Sequence, residues 1–170
     1  DRVLYQLARA YELSGDLETS LATLDRLVQA YPATRYGDEA QFRRGELLFT
    51  LRDYPKSEKA YAVTMQSGSG SQFYEQSLFM HGWTLFKQGR LEESLQSFFG
   101  VLDRKLAGRG NESDLEKLPG LTRADRELVE DTFRVTSLSL ANLQGAASIP
   151  PYITTPVRRE YEFRVYQQLG

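Results

Sequence analysis

The chain repeats itself with a fixed step. Gly15-Asp16-Leu17, Arg52-Asp53-Tyr54 and Gly89-Arg90-Leu91 fall 37 residues apart, and the residues around them keep the same period. Ala8, Gly45 and Gly82 form one series, Tyr11, Leu48 and Leu85 a second, Ser20, Ser57 and Ser94 a third, and Leu24, Tyr61 and Phe98 a fourth. A period of this size marks an array of small supersecondary units. No such unit buries its apolar face alone, so each must be closed by its neighbours.

Each unit reads as two amphipathic helices joined by a short turn. In the first, Leu4, Leu7, Ala8 and Tyr11 recur at helical spacing, followed by Leu17, Leu21, Leu24 and Leu27. The segments "SGD" and "KQGR" place a glycine in the turn, where one helix closes on a left-handed residue. Small residues at Ala8, Gly45 and Gly82 face Ser20, Ser57 and Ser94 and let the two backbones approach closely.

These residues resemble the tetratricopeptide repeat. In the first unit its pattern becomes Leu4, Leu7-Ala8, Tyr11, Gly15-Asp16-Leu17, Ser20, Leu24 and Pro32. Arg44 and His81 depart from it where leucine is usual, the closing proline is missing from units two and three, and the period exceeds the usual length of about 34. The extra residues fall between units, and the joint Tyr-Pro-x-x-x-Tyr-x-Asp-x-Ala over 31–40 is similar to repeats of bacterial envelope proteins, such as the outer-membrane β-barrel assembly lipoprotein and the Tol-Pal coordinator. The resemblance implies an all-α fold, an α-α superhelix of antiparallel helix pairs, and a non-catalytic scaffold for a protein or peptide partner.

The expected organisation is a single array over 1–170, with units at about 1–37, 38–74 and 75–106. An inserted loop follows over 107–123, because "AGRGNESDLEKLPGLTRAD" is polar and rich in glycine. As a surface insertion it should be removable over Asn111 to Pro119 with little loss of helix. An irregular unit over 124–160 has one good helix, carrying Leu128, Phe133, Leu138 and Leu140. Its second helix is compromised by Pro150, Pro151 and Pro156. Residues 161–170 read as the start of a further unit, so both ends look cut from a longer array.

His81 and Trp83 are the lone histidine and tryptophan. His81 occupies the slot of Leu7 and Arg44 and reads as a helix-seam residue, so His81→Leu should be tolerated. A catalytic or metal-binding histidine needs partners that the chain does not offer: there is no cysteine and no second histidine. No catalytic, cofactor or metal residue is therefore expected. The face of each first helix opposite its partner has a different character. It receives Tyr5 and Arg9 from unit one, Phe42, Glu46 and Phe49 from unit two, and Phe79, Trp83 and Phe86 from unit three. Rings on such a wall are the usual material of binding hot spots. The competing reading is that they pack on the neighbouring unit and stiffen the array.

A net charge of −2 gives no electrostatic reason for nucleic acid as partner, and no apolar run is long enough to span a bilayer. The absence of cysteine suits an oxidising compartment such as a bacterial periplasm, although cytoplasmic domains also lack it. The function expected is protein or peptide binding along a concave aromatic groove, helping to assemble or coordinate an envelope complex. The alternatives are a self-association segment of a longer array, or an accessory domain of an enzyme whose catalytic part lies elsewhere.

Overall fold

The second helices of the three units begin at Leu17, Tyr54 and Leu91, and the two later first helices at Gly37 and Tyr74, so the period of 37 is also the period of the structure. The computed structural model describes residues 1–112 and 114–170; Ser113, inside the expected insertion, lies outside the described residues. The described residues form α1 (Arg2–Leu13), α2 (Leu17–Ala30), α3 (Gly37–Thr50), α4 (Tyr54–Gln66), α5 (Tyr74–Lys87), α6 (Leu91–Leu106), α7 (Arg123–Ala141) and α8 (Pro156–Leu169), with short 3-10 turns and no strand. This is the expected all-α class. The chain divides into two compact units, Asp1–Gln88 and Gly89–Gly170, and the division falls inside the third expected repeat.

In the first unit each helix packs on its neighbours in the chain, α1 on α2, α2 on α3, α3 on α4 and α4 on α5. The turns explain the tight reversals. After α1, Gly15 is left-handed at φ 83°, Gly15 N–H donates to Glu12 O at 3.0 Å, and Asp16 N–H donates to Tyr11 O at 2.9 Å. This is the Schellman arrangement that closes the last carbonyls of a helix. Arg52 adopts the same conformation at φ 63° without being glycine, and Asp53 N–H repeats the bond to Leu48 O at 2.8 Å. Asp16 and Asp53 then cap the next helix by accepting from Thr19 N–H at 3.1 Å and Lys56 N–H at 3.3 Å.

The small-residue series acts as expected in the first two pairs. Ser20 Oγ donates to Ala8 O at 2.8 Å, and Ser57 Oγ donates to Gly45 O at 2.7 Å. Those bonds satisfy buried hydroxyls and hold the two backbones together. Tyr61 fills the space beside Gly45 and is fully buried.

The His81 slot needs correction. Arg44 does not face its own partner helix: its Nε donates to Asp25 Oδ1 on α2 at 2.6 Å. His81 likewise lies against the preceding pair, with Nε2 4.0 Å from Glu58 Oε1 on α4. The slot is a polar contact between pairs, and Leu7, with no pair before it among the described residues, is 39% exposed. His81→Leu is therefore expected to shift stability by no more than about 1 kcal/mol in either direction, read from urea midpoints. It does not restore an apolar seam.

The second unit gathers α6, α7 and α8 around one core that includes Phe99, Leu102, Val129, Phe133, Leu140, Tyr161 and Val165. Leu118 and Leu121 belong to this core, at 4% and 8% exposure. That corrects the expectation of a loose surface insertion over 107–123. The segment is also tied down by Arg109, which donates to Lys105 O and Pro119 O, and by the Lys105–Asp125 pair at 2.7 Å. As expected, no long second helix follows α7; 3-10 turns at Gly145–Ser148 and Pro150–Tyr152 take its place. Pro156 does not delay α8. It stands at the first helical position, where its missing N–H costs nothing and its φ suits the helix. Asp103 accepts from Tyr161 Oη at 2.6 Å and pairs with Arg158 at 3.0 Å, fixing α8 to α6. Among the described residues no helix is long and apolar enough to cross a membrane.

Candidate functional site

The first-helix face of the first unit separates into three zones. One zone is packing. Tyr5 and Phe79 are both 8% exposed, and Phe42 is half-buried. Tyr5 stacks on Tyr36 with centroids 4.5 Å apart and planes at 8°. Phe42 stacks on Phe73 at 5.3 Å and meets the Tyr61 edge at 5.9 Å. Tyr36 and Phe73 stand one repeat apart, each just before a first helix. The stack is thus a repeated device that docks one first helix on the entry of the next. Sequence reasoning missed Tyr36 and Phe73 as its partners, although their spacing of 37 was the available signal.

The second zone is charged and internally satisfied. Arg9 Nη1 donates to Glu12 at 2.5 Å. Arg43 donates to Glu39 through Nε at 3.1 Å and Nη2 at 3.0 Å, and reaches Glu12 at 3.5 Å. Tyr5 Oη donates to Glu39 as well. Burial pushes the Glu39 carboxyl up, but the bonds from Tyr5 and Arg43 outweigh it and hold the group below its ordinary range. Burial, with help from Glu39, raises the Tyr5 phenol. Arg9 is therefore engaged within the wall. Glu46 is exposed and has no ion-pair partner among the described residues.

The third zone is open and apolar. Phe49, Met80, Trp83 and Lys87 line a shallow cleft of about 370 Å³. Phe49 is braced edge-on by Tyr54 at 5.2 Å, and Trp83 by Phe86 at 5.4 Å. Lys87 Nζ lies 6.0 Å from the Trp83 ring centroid, within cation–π range. Phe49, Trp83 and Phe86 are half-buried, which leaves part of each ring to solvent. Met80 joins them without having been anticipated. It lies one helical turn before Trp83 on α5, and that spacing was the signal.

A larger depression of about 580 Å³ lies in the second unit, but Asp114, Glu116, Glu130, Asp131, Arg134 and Arg164 give it a polar lining, and Asp131 and Arg134 already pair at 2.6 Å. Among the described residues no group of three or more histidine, cysteine, aspartate or glutamate side chains could hold a metal ion.

A family model described as the tetratricopeptide repeat matches residues 2–34. That span is α1, its turn, α2 and the joint that follows, so the match falls on the first helix pair and agrees with the helix-pair fold of the unit. No curated protein matches the chain.

Proposed function

We propose that this tetratricopeptide-repeat chain is a non-catalytic scaffold that binds a protein or peptide partner, and that the binding surface in these residues is the Phe49–Met80–Trp83–Lys87 cleft. One observation carries the reading. Among the described residues of this face, Tyr5 and Phe42 are covered by ring stacks and Arg9 and Arg43 are held in ion pairs, while Phe49, Met80 and Trp83 keep part of their apolar surface open on one cleft. Large rings held by their neighbours lose little entropy on binding, which is what makes them effective anchors. Of the eight residues expected along the wall, Tyr5 and Phe42 serve the joint between repeats, Phe79 is buried and Arg9 belongs to a salt-bridge network, while Phe49 and Trp83 carry recognition, Phe86 braces Trp83 and Glu46 flanks the site.

The reading is tested by probing an array of overlapping peptides from the source proteome with the wild type and with Trp83→Ala. A defined subset should bind the wild type, and the variant should lose it by on the order of 2 kcal/mol while keeping its helix content. Equal capture by both would remove the cleft from consideration.

The setting we propose is a bacterial envelope complex, in the periplasm. Its support is the Tyr31–Pro32…Tyr36–x–Asp38–x–Ala40 joint and the absence of cysteine. Fractionation of the native host with an antibody to the protein tests it. Recovery with cytoplasmic markers would refute the periplasmic setting and leave the binding cleft untouched.

A further inference from the structure

We infer that the cleft takes a peptide segment bearing one apolar side chain beside a single carboxylate; this rests on the reading of the cleft as a binding surface. The apolar part follows from Phe49, Met80 and Trp83, which present ring and thioether surface and no hydrogen-bonding group other than the indole N–H. The carboxylate follows from the charges around them. Arg9 is paired with Glu12, and Arg43 with Glu39 and Glu12, so neither is available to a ligand without losing a partner. Lys87 is exposed at the cleft and has no carboxylate within ion-pair distance among the described residues. Its ammonium lies 6.0 Å from the Trp83 ring, so a ligand anchored on that ring brings a neighbouring group within its reach.

Glu46 limits the ligand to one acidic group. It stands one helical turn before Phe49 on α3, is exposed, and repels a carboxylate at that end. The cleft thus has a cation in its α5 lining and an exposed carboxylate one helical turn from its Phe49 on α3. An acidic run would gain at Lys87 and lose at Glu46, whereas one carboxylate next to the anchor gains only.

Trp83 is the lone tryptophan, so its emission reports on the cleft directly. Three short peptides, blocked at both ends, share a central phenylalanine and differ only in its neighbour: glutamate, glutamine or lysine. Titrated against the full chain, the glutamate peptide should bind about three-fold tighter than the glutamine peptide, as suits a solvent-accessible ion pair, and the lysine peptide weakest. The order should flatten in high salt and invert in Lys87→Glu. Equal binding of all three, unchanged by Lys87→Glu, overturns the charge preference and leaves the cleft as a binding site. No emission change with any peptide overturns the cleft, and the functional reading with it.

Discussion

Gly45→Ala is expected to destabilise the chain by about 1–3 kcal/mol, the scale of an overpacked core, and Gly45→Val by more. An added Cβ would stand 2.6–2.8 Å from three ring atoms of Tyr61, and that ring is fully buried, so it has nowhere to move. The better helix propensity of alanine offsets at most about 1 kcal/mol of this. The first repeat shows the alternative solution. There Ala8 and Leu24 hold the two slots, in one core cluster and each only 1% exposed. Gly45→Ala with Tyr61→Leu recreates that pair and should recover much of the loss, giving a favourable coupling of roughly 1 kcal/mol or more in a double-mutant cycle. Additive losses in urea unfolding would show that the small and large residues are not matched. Tyr61→Phe supplies the opposite sign. The buried Tyr61 hydroxyl has no hydrogen-bond partner among the described residues, and its removal should stabilise the fold by about 1 kcal/mol.

Leu118→Ala should cost about 2–5 kcal/mol, the range for a leucine removed from a core. Glu116→Ala, two residues away and exposed, should cost almost nothing. Deleting Asn111 to Pro119 removes Leu118 and Leu115 from the second unit's core together, and the Pro119 carbonyl from Arg109. That deletion should therefore lower the denaturation midpoint sharply. A deletion variant melting like the wild type would restore the loose-insertion reading.

Much of the fold was legible because the period fixed what single residues could not. Arg52 would not be chosen for a left-handed turn on its own, since only its place between Gly15 and Gly89 points there. The Leu7, Arg44 and His81 slot misled because one apolar member stood for all three, although Leu7 is the one with least cover. Leu118 and Leu121 were hidden by their neighbours: among glycines, prolines and charges two isolated leucines show no periodicity, and only the tertiary fold brings them to a core. Pro156 read as a breaker, yet at the first helical position proline is favoured.

The candidate wall was legible as a set of rings and not in its division of labour. Tyr5, Phe42 and Phe79 share a slot with the same spacing as Phe49 and Phe86, and sequence gives both series equal standing. What separates them is Tyr36 and Phe73, which cover two members of the first series. Those covering rings sit in the joints between helices, where helical spacing carries no information.

Peptide capture by two double variants, normalised to the folded fraction, tests this division most directly. Phe49→Ala/Trp83→Ala should fold and lose capture of peptides that the wild type binds. Tyr5→Ala/Phe42→Ala should unfold at lower urea, yet bind those peptides normally where it is folded. Undiminished capture by a folded Phe49→Ala/Trp83→Ala variant would contradict the cleft as the recognition surface.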